Sequence, residues 1–258
     1  RGVASVGDHV WFDVDGDGSD TPGPGEPGLA GVPVTVTWAG PDATFGNGDD
    51  VVITTTTDAD GDYLVTDLPF GAIRVQVDIA ALPGFAPTFD GDGIGSANQV
   101  TVVLTVDDGL TAGVDEANPR RADFAYTGTG SLGDLVWQDL DADGAADVGE
   151  PGIDAIGVTV TWAGLDGTPG TADDVVWTTT TADGGYLVDR LPAGTWSVVL
   201  DAGDLPAGLV QVSDPDATRD ARTTTTLTAG QDRADADFGY QLQADLSLDK
   251  SHTGRFEV

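Results

Sequence analysis

The chain has 258 residues, 44 acidic and 10 basic side chains, a formal net charge of −34, and neither cysteine nor methionine. The missing thiols exclude disulfides, thiolate zinc, iron–sulfur clusters and a cysteine nucleophile, and two histidines, His9 and His252, cannot build a multi-histidine metal centre. So much negative charge repels nucleic acid and anionic membrane surfaces and attracts cations, and no apolar run is long enough to cross a bilayer.

The acid is almost all aspartate. Only Glu26, Glu116, Glu150 and Glu257 are glutamate, which leaves 40 Asp against a single lysine, Lys250. Asp is a poor helix former that prefers caps and turns, and 37 Gly with 14 Pro complete a composition of strands and turns. An apolar fraction of 40% suffices for packed cores. A halophilic surface would also be acid-rich and lysine-poor, but it would scatter Asp over strand faces. Here Asp gathers in glycine-containing loops. The absence of Met and of a leader at Arg1 is what an excerpt of a longer chain would show.

In chain order, VGDHVWFDVDGDG (6–18) opens with an alternating strand and runs into an acidic loop, and VPVTVTWAG (32–40) is a second alternating strand. Then come DDVVITTTT (49–57), the turn DADGDY (58–63), YLVTDLPFG (63–71), the loop FDGDG (89–93) and a closing ADFAY (122–126). After TGTGS (127–131) the series starts again, as LGDLVWQDLDADG (132–144), IGVTVTWAG (156–164), DDVVWTTTT (173–181), YLVDRLPAG (186–194) and ADFGY (236–240). The repeat defines two domain-sized units, 6–126 and 132–240, with 21 acids and 3 bases in the first and 20 and 4 in the second. In the second unit, strands are expected near 132–137, 156–163, 175–181, 186–191, 195–201, 208–212, 223–228 and 235–240. No segment keeps a helical period, so each unit is expected to be an antiparallel, immunoglobulin-like β-sandwich whose tryptophans (11, 38, 137, 162, 177, 196) fill the core. The five-residue connector predicts domains set end to end with limited freedom. The remaining segment, 244–258, is expected to be the first strand of a truncated third domain.

Metal chemistry is written most plainly in DLDADGAADVGE (139–150). Carboxylates at positions 1, 3, 5, 9 and 12 with glycine at 6 satisfy the twelve-residue calcium loop of EF-hands, here between strands. Asp139, Asp141 and Asp143 supply single oxygens, Ala145 a carbonyl, Asp147 a direct or water-bridged contact and Glu150 a bidentate pair. The first unit keeps Asp13, Asp15, Asp17 and Gly18, with Ser19 after them, and a two-residue insertion carries its Glu to Glu26. A second cluster recurs as Asp42, Asp49 and Asp50, matched by Asp166, Asp173 and Asp174, a candidate second cation site. DADGDY reads first as a turn, and the late loops 89–93 and 213–220 are candidates to complete either site. Each acidic loop follows an opening strand that itself follows the connector, which predicts that loop 139–150 lies near the junction. No nucleophile elbow, phosphate loop or basic patch occurs, so an enzyme is not expected.

The set GDxVWxDxDxDG, GEPG, GVxVTxTW, TTTT, Asp-Gly-Tyr, LPxG and DFGY, present twice, resembles the SdrD B-like domains of bacterial surface proteins, relatives of the Cna B-type fold. The resemblance implies a prealbumin-like sandwich, at least one Ca2+ per domain in the first inter-strand loop, and a non-catalytic spacer or stalk at the cell surface or outside the cell. Its partners would be calcium ions and neighbouring domains of the same chain, with no nucleic acid, no membrane insertion and an unspecified host or surface ligand. The tail ADLSLDKSHTG is similar to the opening of another bacterial surface repeat. Some Cna B-type relatives carry a Lys–Asn cross-link, which two lysine-free units cannot make. The alternatives are an adhesin module, for which Trp177 and Trp196 are the sequence asymmetry, and an accessory module of an exported enzyme.

Overall fold

The structure, a computed structural model, describes residues 4–19, 22–23, 25–105, 122–216 and 218–243. The strands of the first unit are β1 (Ala4–Phe12), β2 (Pro33–Trp38), β3 (Val51–Thr56), β4 (Asp62–Leu68), β5 (Gly71–Val77), β6 (Phe85–Asp90), β7 (Gln99–Leu104) and β8 (Phe124–Gly128). Those of the second are β9 (Gly130–Gln138), β10 (Gly157–Trp162), β11 (Val175–Thr180), β12 (Gly185–Leu191), β13 (Gly194–Leu200), β14 (Leu209–Ser213), β15 (Arg222–Leu227), β16 (Asp232–Ala234) and β17 (Phe238–Leu242). Among the described residues the only helical pieces are single 3-10 turns at Ile79–Ala81 and Ile94–Ser96.

Each unit stacks two sheets. In the first, β4-β1-β8-β6 faces β3-β2-β5-β7; in the second, β12-β9-β17-β14, with β16 also on β9, faces β11-β10-β13-β15. The all-β, two-sandwich expectation holds with one correction: the sheets are not purely antiparallel. The closing strand runs parallel to the opening strand in both units, pairing Val10 with Phe124 and Val136 with Phe238. The last expected strand, 235–240, is also shifted: it begins at Phe238 as β17, a separate short β16 lies before it, and between the two the Asp237 carboxylate accepts from the Leu135 N–H at 3.0 Å.

Alternation decides which side chains pack. Val34 and Val36 in β2, Ile73, Val75 and Val77 in β5, and Val158, Val160 and Trp162 in β10 point inward and are buried, while Thr35, Arg74, Gln76, Thr159 and Thr161 alternate with them onto the other face and stay partly exposed. At roughly 1.5–3 kcal/mol for each large apolar side chain removed from water, these stripes dominate the stabilisation. Trp11, Trp137, Trp162 and Trp196 are buried, and Trp38 and Trp177 pack partly exposed against the core. The last threonine of each TTTT run serves differently. Thr57 and Thr181 are buried, donate to the carbonyls of Leu29 (2.5 Å) and Ile153 (2.7 Å), and accept from the N–H of Val32 (2.9 Å) and Ile156 (3.0 Å). Tyr63 and Tyr186 likewise tie their hydroxyls to the carbonyls of Ala122 and Ala236.

The connector is shorter than its five residues suggest. Thr127 and Gly128 belong to β8 and Gly130 and Ser131 to β9, so Thr129 alone lies between strands. Its N–H and hydroxyl both donate to the Gly84 carbonyl at 2.9 Å, which fixes it to the first unit. The expected third-domain strand at 244–258 lies outside the described residues.

Candidate metal centre

Loop 139–150 begins where β9 ends. Its ends are held by backbone: Asp139 donates its N–H to Tyr240 at 2.8 Å, and Gln138 donates to Pro151 at 2.9 Å. Gly152 then passes so close to the 182–184 turn that a Cβ there would lie 2.2 Å from the Asp183 carbonyl, which accounts for the glycine of the Glu-Pro-Gly motif. The first unit repeats the closure. Asp13 donates to Tyr126 and Phe12 to Pro27, both at 2.9 Å, and a Cβ on Gly28 would meet the Asp60 carbonyl.

Within the loops the carboxylates fold the backbone around themselves. Asp139, 1% exposed, accepts from the N–H of Ala142 (2.6 Å) and Gly144 (3.0 Å); Asp141 accepts from Asp143, and Asp143 from Ala145. Glu150 closes the ring, one oxygen on the Leu140 N–H (2.6 Å) and the other on the Asp147 N–H (3.0 Å). Oxygens of Asp139, Asp141 and Glu150 lie within 4.8 Å of one another, and so do those of Asp141, Asp143 and Asp147. The five carboxylates of the sequence pattern therefore form two trios that share Asp141. Asp143 is the main cause of the raised pKa of Asp147, with the other acids of the loop adding to it.

In the first loop, Asp13 is again 1% exposed and accepts from Gly16, Asp17 and Gly18, while Asp15 accepts from Asp17 and Asp17 from the Ser19 N–H. Oxygens of Asp13, Asp15 and Asp17 also meet within 4.8 Å. Burial alone would raise the Asp13 pKa, but the neighbouring Thr88 side chain, whose hydroxyl makes no well-formed hydrogen bond, and three backbone N–H groups outweigh it and hold the group below its ordinary value. Glu26 differs. Burial, then the charges of Asp13 and Asp15, raise its pKa against the opposing Gly23 N–H, and its Oε1 is buried without a hydrogen-bond partner. Glu26 is not in the converging trio of its loop, but an orphaned carboxylate oxygen close to the charges of Asp13 and Asp15 is costly unless a cation joins it. Hard oxygen donors of this number fit a divalent cation of the calcium type.

The second acidic cluster is not assembled in this way. Asp42 accepts from the Thr44 N–H and the Asn47 amide, and Asp50 from the Gly46 N–H. Asp166 accepts from Thr168, Asp173 from the Asp166 N–H and Thr171, and Asp174 from Gly170. Asp49 packs beside Gly40. These residues shape their hairpin loops, and among the described residues they form no trio of converging oxygens. In 58–63, Asp58 accepts from the N–H groups of Asp60 and Asp62, a turn as expected. Of the late loops, the strand residue Thr88 reaches the first loop, whereas Asp90 caps its own turn through Asp92 and Gln99.

Loop 139–150 does not lie at the junction. A nine-residue strand carries the chain about 27 Å, so β9, starting at the junction, delivers Asp139 to the far end of its unit, and β1 delivers Asp13 to the junction. There, the Arg190 side chain of the second unit covers Gly16, with its Nε 2.8 Å from where a Cβ would stand. Nothing in the local sequence of either loop signals Arg190 or Thr88; both arrive through tertiary structure.

The SdrD B-like domain model matches residues 4–120 and 130–240, nearly the whole of both sandwiches. The chain belongs to the SdrD B-like domain family. It is 32% identical over 242 residues to serine-aspartate repeat-containing protein F of Staphylococcus epidermidis, covering 92% of this chain and 12% of that protein. To serine-aspartate repeat-containing protein E of Staphylococcus aureus strain Newman it is 34% identical over 208 residues, 80% of this chain and 16% of the relative. Protein D of strain MW2 is 31% identical over 255 residues, with 95% and 17% covered. The SdrD B-like pair thus spans no more than about a sixth of these relatives, from 12% to 17% of their length. Among solved structures, the Bacillus anthracis TIE protein is similar at TM-score 0.44 and 13% identity (94% of this chain, 34% of that chain), and the shaft pilin spaA of Lactobacillus rhamnosus GG at 0.33 and 13% (95% and 100%). Scores this low carry no argument. No described helix is long and apolar enough to cross a membrane.

Proposed function

We propose that the two SdrD B-like units are calcium-stabilised, non-catalytic spacers in a stalk of a bacterial protein displayed at the cell surface or outside the cell. The observation that carries the calcium reading is the orphaned Oε1 of Glu26, held against Asp13 and Asp15 in a loop whose two ends are already pinned by backbone hydrogen bonds. Asp13, Asp15, Asp17 and Glu26 would hold one ion, and Asp139, Asp141, Asp143, Asp147 and Glu150 at least one more. The ion supplies positive charge. The chain supplies a loop whose backbone already curls around its carboxylates, so little ordering entropy remains to be lost on binding. Family membership supports the surface and stalk reading, and the tandem arrangement without a free linker supports a spacer.

The adhesin reading loses its sequence support, because Trp196 is buried and Trp177 packs on it. Calorimetric titration of chelator-stripped protein with calcium tests the proposal. At least one saturable site per unit is expected, with magnesium much weaker because it demands a tight octahedron and dehydrates reluctantly. Equal thermal shifts from calcium and from sodium chloride of matched ionic strength would reduce the loops to screened surface charge.

A further inference from the structure

The junction between the units is aromatic. Phe12, the last residue of β1, is fully buried, and its ring meets Trp162 of the second unit edge-on at 5.7 Å and Trp177 at 5.9 Å. Phe85 lies 5.1 Å from Phe12 and 5.7 Å from Trp162, and Trp196 backs the socket at 6.4 Å from Trp162 and 5.3 Å from Trp177. Backbone locks the edges of this contact. Ala193 donates to Pro83 at 3.1 Å, and Gly84 and Gly128 approach the second unit so closely that a Cβ on either would strike its backbone.

Phe12 also belongs to the acidic loop. Its N–H is the bond to Pro27 that closes loop 13–26, and the next residue is Asp13, the most buried carboxylate of that loop. Arg190 lies over Gly16 in the middle of the same loop. Three consecutive features of one loop, its neck, its first carboxylate and its bend, thus touch or adjoin the second unit. At the aligned neck of loop 139–150 stands Gln138, on the far side of its own sandwich.

We propose that the cation loop of the first unit stabilises the second unit through Phe12, whereas the loop of the second unit stabilises only itself. The proposal rests on the calcium reading of the loops. Loop 13–26 is already closed at the Phe12 N–H and at its chain neighbour, and a bound cation adds to the cost of opening it; the Phe12 ring stays seated in the Trp162–Trp177 socket while the loop is closed, and opening of β10 and β13 requires that the plug be withdrawn. Coupling runs through a packed, contiguous set of side chains whose seating both sites bias.

Hydrogen exchange on the full chain, with calcium and with chelator, tests this. In the variant Asp139→Asn/Glu150→Gln, which disables the second loop, calcium is expected to slow exchange in β10 and β13 by about tenfold. Adding Trp177→Ile, which copies Ile53 of the first unit at a partly exposed position, should abolish that protection while both sandwiches stay folded. The converse variant, Asp13→Asn/Asp15→Asn, should show no calcium protection of β2 and β5. Protection confined to the first unit in Asp139→Asn/Glu150→Gln, with calorimetry showing its loop loaded, would overturn the proposal. If calorimetry shows no ion at loop 13–26, the calcium reading itself falls, a separate result.

Discussion

Loops 13–26 and 139–150 are closed by the same backbone bonds, to Tyr126 and Pro27 in one and to Tyr240 and Pro151 in the other, yet they face different surroundings. The first has Thr88 on one side and Arg190 of the neighbouring unit on the other, and its Glu26 keeps an unpartnered oxygen. In the second, Glu150 spends both oxygens on backbone N–H groups, and Asp147 is exposed among like charges. A repeated motif therefore fixes the closure of a loop and not its electrostatics. The neighbours set the latter.

Removing calcium should have the largest effect. For a site with Kd about 10 μM in about 2 mM calcium, linkage stabilises each loaded unit by roughly 3 kcal/mol. Chelation followed by thermal unfolding should lower the transitions of both units. A shift in one unit only would show that the closure shared by the loops is insufficient for binding, and would sharpen the comparison to the Glu residues.

Next in size is the contrast within the second loop. Asp139→Asn should weaken calcium binding and cost stability even with chelator, since it removes a charged acceptor from two N–H groups, at about 1.5–3 kcal/mol for a charge-assisted bond. Glu150→Gln should reduce affinity more than Asp147→Asn, because the trio of Glu150 includes the buried Asp139 whereas all three acids of the Asp147 trio are exposed. Asp147→Asn should leave the metal-free protein unharmed or steadier, as it relieves repulsion from Asp143. Equal, small losses of affinity for all three, read by calorimetry, would break the assignment of inner and outer carboxylates.

Smaller still is the buried threonine. Thr181→Val leaves the Ile156 N–H and the Ile153 carbonyl without their partner, and Thr57→Val does the same to Val32 and Leu29, at about 1–3 kcal/mol each. Matching losses of denaturation midpoint in the two units are expected, since this device is the same in both. A loss in one alone would mean that the junction compensates the other.

How far the fold could be read ahead follows from where the information sits. Alternation of Val and Thr around Trp38 and Trp162 is local, and it located the strands to within a residue or two. The parallel pairing of β1 with β8 is not local. It depends on which edge remains open after the other strands have paired, and no short segment encodes that. The convergence of carboxylate oxygens in the acidic loops was legible because the pattern that gathers them in a single loop is a spacing rule. For the hairpin aspartates, Asp42 and Asp166 among them, the sequence does not separate a carboxylate that caps its own turn from one that faces a cation, and the structure shows the capping bonds. The place of loop 139–150 was misjudged by following the chain from the connector without counting the length of the strand between them.

The smallest expected effect concerns pH in the metal-free protein, and here the two units should part. Burial raises Asp90 in the first unit and Asp237 in the second to about 6. A carboxyl whose folded pKa lies above its unfolded value binds more protons in the folded state, so stability rises as pH falls through about 6 toward the ordinary carboxylate value of 3.8. Both units should then melt higher at pH 5 than at pH 7.5 in the presence of chelator, the reverse of ordinary acid denaturation. Asp13 opposes this in the first unit only. Its folded pKa is lowered, so its contribution is complete above the unfolded value of 3.8 and is lost as pH falls through the lowered one. Below that point the first unit should weaken before the second. Thermal melts from pH 7.5 to pH 3, with unit-specific hydrogen exchange as the readout, distinguish the two. A fall in both melting temperatures between pH 7.5 and pH 5 would show that Asp90 and Asp237 gain a compensating partner in solution, and parallel curves at lower pH would remove Asp13 as the difference between the loops.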